Sequence, residues 1–140
     1  MSTHWSDELV EMRACDGAFT WAREQPDAAT AWSSCERGDW MLWYAGRRCG
    51  AMGGARHRLV VRAACACARR ALAYVPAGEE RPLLAIETTE AWCRGEATIE
   101  EVRQADAYAS SAASYAARES ELREMAEIVR NIIPMQEMTL

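Results

Sequence analysis

Apolar residues recur along this chain at helical spacing, and no segment of useful length alternates apolar and polar as a half-buried strand would. Each apolar stripe is also bounded by residues that start or stop a helix. Ser6 stands before Asp7 and Glu8, and Leu9, Met12, Cys15, Phe19 and Ala22 form one stripe that Pro26 ends. Asp27 can cap a short helix over 28–35, and Asp39 one over 40–48. Glycines 50, 53 and 54 make the loosest segment. A longer helix is expected over 55–75, then one with Pro82 in its first turn and Gly95 just past its end. Thr98 and Glu101 read as a capping box that opens the longest helix, 99–131, which stops before Pro134. The expected fold is all-α: a compact single-domain bundle of five to six helices over 1–134 with a long C-terminal helix, followed by a frayed tail, 135–140.

A chain of 140 residues, half of them hydrophobic, can build a core without metals or disulfides. The six cysteines, at 15, 35, 49, 65, 67 and 93, are therefore expected as free thiols in helical core positions. No C-x-x-C occurs and there are only two histidines, so no metal site or other cofactor is expected. No run of apolar residues is long enough to span a membrane, and the polar, acidic start does not read as a signal peptide; a cytoplasmic location is expected.

Charge is segregated. All 16 basic side chains are arginine, and there is no lysine. Residues 1–39 hold eight acids and three arginines, residues 40–78 no acid and seven arginines, and residues 79–140 thirteen acids and six arginines. Within the acid-free stretch, Arg58, Arg62 and Arg69 fall within about 40° of one another on one helix face. Arg47, Arg48 and Arg56 flank the glycine segment. Two readings stay open. The stripe is neutralised inside the chain by acidic flanking helices, or it is a site for an anion or an acidic surface, since guanidinium forks suit carboxylates and phosphates. Internal pairing is favoured for Arg69, and binding for Arg58 and Arg62. The net charge of −5 and the lack of any DNA-binding motif disfavour nucleic acid.

Trp40, Trp43 and Tyr44 share one helix face at i, i+3 and i+4, and Trp43 precedes Arg47 and Arg48 by about one turn. Most tryptophans belong to a core, but a tryptophan beside arginines can also stack on a planar ligand or anchor a partner. Trp40, Trp43, Arg47, Arg48, Arg56, Arg58 and Arg62 are thus the candidate binding residues. Along the last helix, Ala105, Tyr108, Ala112, Tyr115, Leu122, Ala126, Val129 and Ile133 keep heptad spacing. That face serves either packing within one chain or a seam between copies, where Tyr108, Tyr115 and Leu122 would lie. Catalysis finds no support: His4 sits near the terminus, His57 has no evident partner, and no hydrolase, zincin or P-loop motif occurs.

Two blocks, 14–46 and 59–117, carry the patterns T-x-W (Thr30 to Trp32), C-x-R-G-D-W-x-x-W (Cys35 to Trp43), A-I-E (Ala85 to Glu87) and A-W-x-x-G-E (Ala91 to Glu96). Together they resemble the small helical immunity-protein family of bacterial polymorphic-toxin loci, which has phage-encoded relatives. The resemblance implies an all-helical, non-enzymatic protein that protects or inhibits by binding, and it carries over no catalytic residue. The partner is expected to be a toxin or, for a phage protein, a host defence component. The competing expectation is an oligomer that sequesters a small anionic, nucleotide-like signal between arginines and tryptophans.

Overall fold

The computed structural model describes residues 3–109 and 119–135, and these contain helices and no strand. Eight α-helices follow in order among them: α1 Asp7–Glu11, α2 Asp16–Arg23, α3 Ala28–Ser34, α4 Gly38–Arg48, α5 Ala55–Ala71, α6 Arg81–Cys93, α7 Ile99–Ala109 and α8 Glu119–Ile132. A 3-10 turn, Leu72–Tyr74, extends α5. The count exceeds the five to six expected because two long segments are each described as two helices.

The first is the segment before Pro26. It breaks at Arg13, which adopts φ 62°, a left-handed conformation uncommon outside glycine. The Ala14 N–H reaches Leu9 O at 3.0 Å and the Arg13 N–H reaches Val10 O at 3.1 Å, which closes α1 in a Schellman motif. Ser6 is fully buried and its hydroxyl pairs with His4 Nδ1 at 2.7 Å, so it does not cap α1 through its side chain. The second is the C-terminal stretch, where α7 packs on α6, and α8 packs on α4 and α5. Residues 110–118 between them, with Ala112 and Tyr115, lie outside the described residues, as do the side chain of Tyr108 and residues 136–140.

Other boundaries follow local chemistry. Asp27 accepts the Thr30 N–H at 2.7 Å, as an N-cap should. The capping box forms in both directions, with Glu101 N–H to Thr98 Oγ1 and Thr98 N–H to Glu101 Oε1 each at 3.2 Å. Gly95, at φ 80°, closes α6 in a second Schellman motif through Glu96 N–H to Ala91 O at 2.8 Å. Asp39 does not cap α4; the helix begins at Gly38, and the Asp39 carboxylate is held instead by the Arg37 fork.

α5 is the central element and touches α4, α6 and α8. Its Val60, Ala63 and Cys67 share one buried cluster with Met41, Ala45 and Cys49 of the α4 segment, Trp32 and Cys35 of the α3 segment, and Ala126, Val129 and Ile133 of the α8 segment. Each set repeats at three or four residues, so one stripe per helix faces the common centre. Ala126, Val129 and Ile133 are fully buried, which commits this part of the heptad face to packing within the chain, while Leu122 is half-buried. Gly38 is buried where α4 crosses α8, and a Cβ there would stand 2.4 Å from Met125 Cβ and 2.7 Å from Ala126 N.

All six cysteines are free. Cys35, Cys49, Cys65 and Cys67 are buried and Cys93 half-buried, whereas Cys15 is exposed in the bend before α2 and is not a core residue. Thiol titration of freshly purified protein in denaturant without reductant should therefore recover six thiols, and native protein should show one fast-reacting thiol that Cys15→Ser removes.

Candidate functional site

The short helices α1–α4 enclose an apolar cavity of about 550 Å³. Six aromatic side chains line it: Trp5, Trp21, Trp32, Trp40, Trp43 and Tyr44. Small residues, among them Ala18, Ala22 and Ala31, leave room between the rings. The rings are fixed from behind. Trp5 Nε1 donates to Gln25 O at 2.9 Å and Trp32 Nε1 to Ile133 O at 3.1 Å. Trp21 and Trp40 are tilted at 48° with centroids 6.1 Å apart, an arrangement that aromatic quadrupoles favour.

Charged groups also line the cavity: Arg13, Arg37 and Asp39. The Arg37 guanidinium lies 4.4 Å from the Trp40 ring centroid and grips Asp39 with two hydrogen bonds, 2.9 and 2.8 Å. Burial pushes the Asp39 carboxyl up, but the fork and charge of Arg37 outweigh it and hold the group below its ordinary range.

A more open hollow of about 480 Å³ adjoins α4, lined by Glu8, Glu11, Met12, Gly46, Arg47 and Arg48. Glu8 is its hub: Tyr44 Oη donates to it at 2.9 Å and Arg48 at 3.1 Å, while the Arg48 guanidinium sits 5.3 Å from the Tyr44 ring. Arg47 is exposed and lies 6.0 Å from Trp43. Burial, followed by the hydrogen bond and charge of Glu8, pushes the Tyr44 phenol up to about 12. The unfolded chain would ionise this phenol near 10 while the folded one keeps its proton. Tyr44 therefore contributes stability below pH 10 that is lost as pH rises from 10 to about 12. Titration of the phenolate absorbance should show a late-ionising tyrosine that disappears in Tyr44→Phe.

The arginines of α5 have other surroundings. Arg69 makes a bidentate pair with Glu90 of α6 at 2.9 and 2.6 Å, and Arg70 with Glu121 of α8 at 2.8 and 3.2 Å. Arg58 is half-buried with its guanidinium 5.7 Å from the Trp92 ring, and Arg62 is exposed. Neither Arg58 nor Arg62 pairs with a carboxylate among the described residues. Burial raises the Cys93 thiol, and the positive charges of Arg62 and Arg58 pull against that rise. His57 does have partners: its Nδ1 accepts the Gly53 N–H at 3.0 Å, and its ring meets Trp92 edge-on at 5.5 Å.

The candidate residues are thus distributed over two faces. Trp40 and Trp43 share the cavity, with Arg47 and Arg48 in the adjoining hollow, while Arg56, Arg58 and Arg62 line neither. Trp5, Trp21, Trp32 and the Arg37–Asp39 pair complete the cavity and are not among the candidate binding residues. No group of three or more His, Cys, Asp or Glu suited to a metal occurs among the described residues, and no helix there is long and apolar enough to cross a membrane.

No curated protein and no solved structure matches this chain. One family model does, over residues 50–132, more than half of the chain, and its description is Imm-5 like putative immunity protein. The match spans α5, α6 and α7 and reaches the last residue of α8, whereas every residue lining the aromatic cavity precedes it. The chain therefore belongs to the Imm-5 like putative immunity protein family.

Proposed function

We propose that this protein acts without catalysis, by binding a toxin or, if phage-encoded, a host defence component and blocking it. Membership of an immunity-protein family is the observation that carries this reading. The α4 surface supports it: Trp43 is 38% exposed at the cavity, and the exposed Arg47 lies beside it. An aromatic ring next to a guanidinium is the composition that concentrates binding energy in protein interfaces. The test is co-expression of the chain with the toxin or defence protein encoded beside its gene. The intact chain is expected to restore growth or phage plating, and Trp43→Ala and Arg47→Ala to lose that effect at an unchanged melting temperature. Failure of the intact chain to neutralise or to co-purify with that protein overturns the reading.

The cavity supports a second reading, sequestration of a small anionic ligand with a planar group, because about 550 Å³ falls within the size range of small-molecule sites. Titration with mononucleotides and cyclic dinucleotides, followed by tryptophan fluorescence, tests it. Quenching that Trp40→Ala abolishes favours sequestration, and unchanged emission rejects it for those ligands.

A further inference from the structure

We infer that the face of α5 carrying Arg58 and Arg62 docks an acidic segment of the protein partner, whose carboxylates complete the two guanidinium groups. This deepens the inhibitor reading and rests on it for the partner's being a protein.

The acid-free stretch 40–78 brings seven arginines into a chain of net charge −5. Acids from neighbouring helices take Arg48, Arg69 and Arg70, through Glu8, Glu90 and Glu121. Arg58 and Arg62, one turn apart, receive no carboxylate among the described residues, although α6 packs against α5 and brings Glu90 to Arg69. Two like charges at this spacing repel each other, and no carboxylate among the described residues pairs with either.

Arg58 Nε is a buried donor with no hydrogen-bond partner, and a buried donor is ordinarily paired. The Arg58 guanidinium stands 5.7 Å from the Trp92 ring, which His57 meets edge-on at 5.5 Å. A fork placed against an aromatic ring loses less freedom when a carboxylate arrives, which makes Arg58 a better donor to an acidic side chain than a surface arginine without such a contact. Arg62 is exposed and Arg58 half-buried, so this face suits a side chain offered by an extended partner.

The test uses the full chain and a labelled hexaglutamate peptide, read by fluorescence anisotropy, beside an oligothymidylate of equal charge. The intact protein is expected to bind the peptide, more weakly as salt rises. The double variant Arg58→Gln/Arg62→Gln should weaken binding by about tenfold or more while keeping its melting temperature. Arg69→Gln should keep peptide binding but melt lower, since it strands Glu90. No peptide binding, equal binding by the double variant, or preferential binding of the oligothymidylate overturns the inference. So does a double variant that melts below Arg69→Gln, which would make the two arginines structural. The co-expression assay separates the two proposals. If the intact chain neutralises and the double variant does so equally well, the docking face is wrong and the inhibitor reading stands. If the intact chain does not neutralise, that reading falls, and the peptide assay still judges the face.

Discussion

Replacing Gly38 with alanine should lower the melting temperature by about 10 °C, a loss of about 3 kcal/mol. The added methyl would overlap Met125 Cβ and the α8 backbone at Ala126 N. Backbone cannot move aside as a side-chain end can, so α8 must back away from α4, loosening the contacts of Ala126, Val129 and Ile133 with the core. The higher helix propensity of alanine, about 1 kcal/mol, offsets only part of this. Gly46, in the same helix, is the control: nothing lies within 4 Å of its would-be Cβ, so Gly46→Ala should raise the melting temperature slightly. Thermal melts followed by circular dichroism decide both. Equal effects of the two substitutions would mean that α4 and α8 do not meet at Gly38.

Arg130→Ala should cost about 3 kcal/mol as well, by a different route. The Arg130 side chain is only 17% exposed, and its Nη1 donates to Cys35 O at 2.6 Å and Trp32 O at 3.2 Å, while Nη2 donates to Glu127. A cation from α8 thus satisfies carbonyls at the C-terminal end of α3, where the helix leaves acceptors open and its dipole is negative. Truncation strands those acceptors and removes the apolar stem that covers them. Arg130→Lys should recover less than half of the loss, because one ammonium cannot reproduce the planar fork. Chemical denaturation of the three proteins measures this, and full recovery by lysine would show that charge alone is at work.

Features set by near neighbours in sequence were legible before any coordinates. The Asp27 cap, the Thr98–Glu101 box and the Gly95 terminus depend on residues within five positions, and each forms as the residue types predict. Three local readings failed. Ser6 has the chemistry of a cap, but its hydroxyl pairs with His4 Nδ1 instead. Asp39 has the chemistry of a cap, but Arg37, two residues earlier, holds both its oxygens. The break at Arg13 was hidden because a left-handed helix terminus ordinarily announces itself with glycine or asparagine. The internal pairing expected for Arg69 forms with Glu90, but a helical wheel of one helix could not name the acid that α6 would bring to it. The cavity was beyond such reasoning, since it joins four short helices whose mutual angles are set by contacts distant in sequence, such as Arg48 with Glu8 and Trp32 with Ile133.

The aromatic cavity and the family match divide the chain at residue 50, and this bears on how the protein can change over generations. Trp32, Cys35 and Met41 serve two masters, lining the cavity and filling the core that α5 and α8 complete, so alterations there are felt throughout the bundle. Trp5, Arg13, Ala18 and Trp43 line the cavity without belonging to that buried cluster. On the inhibitor reading, these four are the positions where a substitution reaches the cavity with least disturbance to that cluster. Saturation mutagenesis scored once for folding and once for neutralisation would then draw two different maps of the same cavity.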